Sequence, residues 1–295
     1  MDGGLMGSEY ASHLTETDLR LLDAAARAAA RGGSGAAVSW RQHPAALSAL
    51  LSDPAVARAV LGHGEDETGA QAAVASPFLV FAVAVHRAAA ELATAAHVTE
   101  RTGPRQRVPL FDAPDLRDFL DSGERRLFLA ELLSSFTRVA SGRYQVRSRG
   151  QVRTRRFSEL DPVRLAGLLD AVPEADRPGV YRRLGDVALF LTGVFPDYAA
   201  DRALSLPGAA RLLRAARVPA PDAERLATAP ALELLEQLGA RWYRAAWDLA
   251  PVRTARLGVV AEVAGRFRQA RRVLNHVADR YLFPAGSPWF SQPQS

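Results

Sequence analysis

The sequence predicts a mainly α-helical protein, an Ala-rich bundle or array of about ten helices with one Arg-rich β-hairpin. Two observations indicate helix. Apolar residues recur at steps of three and four through most of the chain, and alanine, which favours helix, makes up about one residue in five. A third observation predicts the exception, because residues 143–157 alternate with a period of two, as strands do.

Capping residues and prolines set the predicted helix boundaries. Thr15 with Asp18 can form a capping box, and Ser76-Pro77 combines a cap with proline at the first helical position. The remaining starts follow from the same signals and from apolar periodicity. The predicted helices cover residues 15–31, two short stretches opening at His43-Pro44 and Asp53-Pro54, 77–99, 114–121, 123–140, 161–172, 176–195, 208–217, 222–228, 230–249 and 254–282.

We expect an N-terminal helical lobe over residues 1–140, a basic hairpin over 141–160, a C-terminal helical lobe over 161–284 and a flexible tail over 285–295. The alternative is one continuous domain. The most apolar run, residues 72–85, is shorter than the roughly 20 residues that cross a bilayer. Residues 1–10 lack the basic and apolar regions of a signal peptide. These features predict a cytoplasmic chain without a membrane span.

Composition excludes cysteine chemistry and explains part of the high isoelectric point. The chain has no cysteine, which excludes thiol catalysis, Cys-ligated zinc and disulfides. It also has no lysine and no isoleucine, the pattern of a GC-rich genome, so all 37 basic residues are arginine. Codon usage therefore contributes to the isoelectric point of about 10.1. The distribution of charge along the chain is more informative.

That distribution is uneven. Residues 132–158 contain seven arginines and no Asp or Glu, whereas the rest of the chain holds 30 basic and 32 acidic side chains. Codon usage can replace lysine by arginine, but it does not gather basic residues or exclude acidic ones locally. The whole positive excess of the protein therefore lies in this one segment.

The predicted hairpin can be paired in two ways. A three-residue loop over 148–150 pairs Val146 with Val152 and gives Gly150 the left-handed position that such loops need. A two-residue loop over 149–150 mixes apolar and charged residues on both faces. We therefore expect the three-residue loop, with an apolar face of Tyr144, Val146, Val152 and Thr154 and a basic face of Arg143, Gln145, Arg147, Gln151, Arg153 and Arg155, Arg149 lying at the tip.

This basic face predicts a binding or regulatory protein rather than an enzyme, with a nucleic acid or nucleotide as the first choice of anionic partner. The planar guanidinium fork pairs well with phosphate and carboxylate, and a basic ribbon can follow a nucleic-acid backbone or enter a groove. A second hypothesis is a scaffold whose hairpin docks an acidic protein surface. A third is a solvated hairpin neutralised from elsewhere in the chain. The predicted binding residues are Arg143, Arg147, Arg149, Arg153 and Arg155, and the candidate neutralising carboxylates are Asp115, Asp118, Asp121 and Glu124.

The alternative from another class is a helical-bundle enzyme or a metal or cofactor binder using His86, His97 or His276 with nearby carboxylates, such as Glu91, Glu100 or Asp279. A His and a carboxylate one helical turn apart can share a site. The sequence has no nucleophile elbow, phosphate loop or dinucleotide fingerprint, and we predict no catalytic residue, metal ligand set or cofactor. We expect His86 to be a satisfied core residue and Asp186 to pair with arginine.

Overall fold

A computed structural model describes residues 2–31, 45–61, 75–103, 106–148, 151–201 and 205–283. Within those ranges it has 15 α-helices and two antiparallel two-stranded hairpins. The predicted mainly-α class is confirmed. Across these same ranges, no helix combines the length and apolar character needed to cross a bilayer.

The elements follow one another along the chain as listed here, with 3₁₀ turns at Gly167–Asp170 and Glu174–Asp176 and a π-helical turn at Ala278–Leu282. The helices are α1 (Asp2–His13), α2 (Glu16–Arg31), α3 (Ala45–Leu51), α4 (Pro54–Leu61), α5 (Pro77–Leu92), α6 (Ala113–Asp121), α7 (Gly123–Ser135), α8 (Pro162–Ala166), α9 (Arg177–Val194), α10 (Pro196–Asp201), α11 (Leu206–Ala215), α12 (Ala220–Ala227), α13 (Ala231–Asp248), α14 (Ala255–Gly265) and α15 (Phe267–Val277). The strands are β1 (Val98–Gly103), β2 (Gln106–Leu110), β3 (Ser141–Ser148) and β4 (Gln151–Ser158).

The chain divides into two compact units. Unit 1 comprises Met1–Thr99, Pro109–Thr137 and His276–Ser295, and unit 2 comprises Glu100–Val108 and Arg138–Asn275. Helix α5 forms the centre of unit 1 and packs against α4 and α7. Its first three turns are buried on every side, which explains the long apolar run in the sequence. The cap that starts α5 is the predicted one, since Ser76 Oγ accepts a hydrogen bond from the Leu79 amide.

The core of unit 2 is the contact of α9 with α13, to which α14 adds. Two glycines allow these helices to approach closely. A Cβ at Gly185 would overlap the Tyr243 ring, and a Cβ at Gly239 would overlap Phe267 and Ala188. A side chain at either position would therefore push α9 and α13 apart or displace an aromatic ring.

The structure departs from the sequence prediction between residues 93 and 110. Helix α5 ends at Leu92 rather than near Thr99, and a hairpin of β1 and β2 occupies most of the stretch between Val98 and Leu110, where no strand was predicted. Within unit 2, the Arg101 amide donates to Asn275 Oδ1 over 2.9 Å, and Asn275 Nδ2 donates to the Arg101 carbonyl over 3.2 Å. The Asn275 side chain fixes the backbone of β1 although it is distant in sequence. The local periodicity of the sequence therefore could not predict this hairpin.

Smaller differences concern the number and the bounds of the helices. Helices α1 and α10 were not predicted, and the predicted helix over 254–282 is interrupted. Arg266 leaves the helical region at φ −123° and ψ 33°, which separates α14 from α15. The predicted tail over 285–295 lies outside the described residues.

Candidate anion-binding ribbon

The segment that sequence analysis singled out forms an antiparallel two-stranded ribbon in unit 2. Strands β3 and β4 pair without interruption from Ser141 opposite Ser158 to Ser148 opposite Gln151. We call residues 141–158 the basic ribbon. The predicted hairpin is confirmed, and its strands extend over residues 141–158 rather than 143–157.

The predicted register is wrong. Ser148 pairs with Gln151, which leaves two residues between the strands instead of three, and Val146 lies opposite Arg153 instead of Val152. Two-residue connections match the twist of paired strands best. Sorting of apolar residues fixes the register only where one face is buried. In the ribbon, Gln145 and its partner Thr154 are both exposed, so burial does not favour the three-residue loop.

The observed register distributes the arginines over both faces of the ribbon. Successive strand positions alternate between the faces, and directly paired positions share one. Positions 143, 147 and 156 therefore fall on one face, and positions 153 and 155 fall on the other. The single basic face expected from the sequence is not formed. Arg149 lies outside the described residues.

Like charges meet across the strands. Arg143 lies opposite Arg156, whereas the register with a three-residue loop would place it opposite Arg155. Such a pair is destabilising without a counter-ion. Arg143 is exposed, as is Arg138 just before the ribbon, and neither forms an ion pair with any described residue.

Glu159, the first carboxylate after the ribbon, holds the base of the hairpin together. Its Oε2 accepts a hydrogen bond from the Ala140 amide over 2.9 Å and pairs with Arg183 Nη2 over 3.0 Å. The Glu159 amide donates in turn to the Ala140 carbonyl over 3.1 Å. Sequence analysis missed this role, although the position of Glu159 at the end of a long acid-free segment was a usable signal.

The next carboxylates along the chain are also engaged. Asp161 caps α8 by accepting from the amides of Val163 and Arg164 over 3.0 and 3.1 Å. Glu131, the last carboxylate before the basic segment, lies 2.8 Å from His13 Nε2. The acids closest in sequence to the ribbon therefore hold groups outside it.

The candidate histidine His86 is a core residue, as predicted. It is 2% exposed, its Nδ1 lies 3.2 Å from Ser52 Oγ, and its Nε2 lies 3.1 Å from the Tyr10 hydroxyl. Burial, with a smaller contribution from the positive charge of Arg126, lowers the pKa of His86 to about 3. A histidine with that pKa stays neutral near pH 7 and is a poor general base.

The other two candidate histidines differ from His86 in their surroundings. His276 Nε2 is 3.7 Å from Glu91 Oε2, beyond hydrogen-bonding distance, and burial lowers the pKa of His276. His97 is exposed, with its ring 6.0 Å from that of Phe111. Within the described ranges, no three His, Asp or Glu side chains come together as a metal site would require.

Asp186 has structural partners. It is 8% exposed and accepts a hydrogen bond of 2.8 Å from the Tyr243 hydroxyl, while Arg183 Nη1 lies 3.9 Å away. Burial, reinforced by the Asp186 carboxylate, raises the pKa of Tyr243. The predicted arginine neighbour is present, but the tyrosine is the closer partner.

Comparisons with models of protein families, with characterised proteins and with solved structures found no match. The function is therefore argued from the residues of this chain alone.

Proposed function

We propose that this chain is a binding protein that engages a polyanion, with nucleic acid the first choice, through the basic ribbon. The observation that carries the proposal is the local excess of positive charge, and the two arginines of this segment whose side chains the structure describes, Arg138 and Arg143, meet no described counter-charge. The ribbon lies in an acid-free segment with seven arginines, and the carboxylates that flank this segment hold other groups.

The electrostatics of the ribbon favour an external anion. Two unit charges about 5 Å apart repel by roughly 1 kcal/mol in water, and salt screens this only partly. Arg143 opposite Arg156 brings such a cost to the folded chain, and Arg138 and Arg143 meet no described counter-charge. A bound polyanion removes the repulsion and supplies acceptors for guanidinium groups.

The observed register favours a partner with a groove. A flat acidic protein surface can contact only one face of a two-stranded ribbon, whereas the ribbon has arginine positions on both. The major groove of B-DNA is about 12 Å wide, admits a two-stranded ribbon and presents phosphates on both walls. Nucleic acid can therefore neutralise both faces at once, which supports it over an acidic protein surface.

The test is the affinity of the full chain for a labelled DNA duplex, measured by fluorescence anisotropy at low salt. The ribbon variant combines Arg143→Ser, Arg147→Ser and Arg153→Ser. We expect it to bind at least about tenfold more weakly, since each phosphate contact contributes up to about a decade in affinity at low salt.

A matched control removes the same charge from elsewhere in unit 2. It combines Arg225→Ser, Arg244→Ser and Arg253→Ser, all at exposed positions on or near α12 and α13. We expect this control to keep most of the wild-type affinity. Undetectable binding by the wild type, or equal losses in the two variants, would contradict the proposal, because the ribbon would then contribute no more than net charge does.

A further inference from the structure

A cleft of about 470 Å³ opens within unit 2, and none of its lining residues belongs to the basic ribbon. Three parts of the fold line it: the end of α8 with the 3₁₀ turn after it, the first turns of α9, and the second half of α11. The lining residues are Ala166, Leu169, Asp170, Arg177, Tyr181, Arg211, Arg214 and Ala215.

Helical spacing gathers the polar residues of this cleft. Arg177 and Tyr181 are four residues apart on α9, and Arg211 and Arg214 are three residues apart on α11, so each pair lies on one side of its helix. Helix α8 packs against both α9 and α11 and thereby places the two pairs around a common space. Ala166, Leu169 and Ala215 supply its apolar surface.

Two of the three arginines of the cleft have no described ion-pair partner, and the third has only a long one. Arg211 and Arg214 form no ion pair with a described residue. Arg177 Nε is buried and has no hydrogen-bond acceptor among the described groups. Arg177 Nη1 lies 3.9 Å from Glu174, but that carboxylate side chain is 83% exposed, so the pair is weak. Asp170 is the one carboxylate of the lining, which leaves the cleft with two net positive charges.

We infer that this cleft binds a small phosphorylated organic molecule. A phosphomonoester carries a charge of about −1.5 to −2 near pH 7, which matches the net positive charge of the residues that line the cleft. Arginine forks bind phosphate oxygens in pairs, and the Tyr181 hydroxyl offers a further donor. The inference does not depend on the function proposed for the ribbon.

The size and the remaining lining residues indicate that the ligand is larger than inorganic phosphate. The cleft falls within the range of about 300–1,000 Å³ that small-molecule sites occupy. Asp170 can accept hydrogen bonds from ligand hydroxyls, and the apolar surface of Leu169 and the two alanines can contact ligand carbon atoms. These features fit a phosphorylated polyol or sugar.

The test is isothermal titration calorimetry of the full chain at low salt, with ribose 5-phosphate and glycerol 3-phosphate as probes. Ribose and malonate are the comparators, since they separate the contributions of hydroxyl groups and of charge. We expect at least one phosphoester to bind with a dissociation constant of about 1 mM or tighter, and both comparators to bind more weakly. Failure of both phosphoesters to bind below about 10 mM, or tighter binding of malonate, overturns the inference.

Variants locate the binding. We expect Arg211→Gln with Arg214→Gln to weaken phosphoester binding by at least about tenfold, because two charge-assisted contacts are lost. Arg244→Gln on α13 is the control, since Arg244 is exposed and lies outside the cleft. We expect it to bind as the wild type does.

Two further results complete the test. The ribbon variant of the preceding subsection should bind the phosphoester normally, so failure of one proposal is distinguishable from failure of the other. The double variant at Arg211 and Arg214 should unfold at the wild-type temperature or above, because neither side chain has an ion pair or hydrogen bond to a described residue that would be lost. Unchanged binding by this variant, or an equal loss with Arg244→Gln, contradicts the assignment to the cleft.

Discussion

Acidification should destabilise unit 1 through His86, and the effect can be worked out from the structure. Burial of His86, together with the charge of Arg126, lowers its pKa to about 3 in the folded chain. In the unfolded chain a histidine has a pKa of about 6.5. Between these values the unfolded state binds a proton that the folded state excludes. The free energy of unfolding therefore falls as the pH falls from about 6.5 towards 3.

The two pKa values give the magnitude. The linkage relation predicts a loss of about 2 kcal/mol between pH 7 and pH 5 from this one residue. Burial lowers the pKa of His276 as well, and its contribution has the same sign. A variant at position 86 is therefore needed to isolate the share of His86.

The assay is urea denaturation followed by far-UV circular dichroism at pH 7 and at pH 5. His86→Gln removes the titrating ring and keeps a polar side chain for the Ser52 and Tyr10 hydroxyls. We expect the loss of stability on acidification to be about 2 kcal/mol smaller in this variant. His97→Gln is the control, because His97 belongs to the same unit but is exposed, and we expect it to retain the wild-type loss. Equal losses in His86→Gln and the wild type would refute the reasoning.

Two further predictions concern the packing of unit 2. Glu100→Gln should cost about 1.5–3 kcal/mol in the free energy of unfolding, because the buried Arg271 loses one charged partner and keeps the other, Glu236. A loss below about 1 kcal/mol in urea denaturation would show that the pair contributes little. Gly239→Ala should lower the free energy of unfolding by about 1–3 kcal/mol, because the added Cβ would overlap Phe267. Gly265→Ala is the control and should be neutral or stabilising, because the space around Gly265 is open. Thermal unfolding of both variants checks the contrast.

Most of the helical architecture could be predicted because the signals are local. Ser76-Pro77 and Asp161-Pro162 are caps whose hydrogen bonds form within a few residues, and the structure contains both. The basic segment was equally visible, since it needs only a count of charges along the chain. The register of the ribbon was not predictable in this way. The sequence rule assumed a buried face that includes Thr154, and the Thr154 side chain is exposed.

The remaining features depend on residues that are far apart in the sequence. Hairpin β1–β2 is held by Asn275, 174 positions from Arg101. The cleft brings Arg177 together with Arg211 and Arg214 from another helix, and each of them alone has the pattern of an ordinary solvated helix face. Only the packing of α8 against α9 and α11 gathers them.

The salt dependence of DNA binding tests the central claim most directly. Each phosphate that the protein neutralises contributes about 0.9 to the slope of log affinity against log salt concentration on duplex DNA. For the wild type we predict a slope of magnitude about 3 or more, and for the variant lacking Arg143, Arg147 and Arg153 a slope smaller by up to about 2.7. A wild-type slope near zero, or an identical slope in the variant, would contradict a function based on this ribbon.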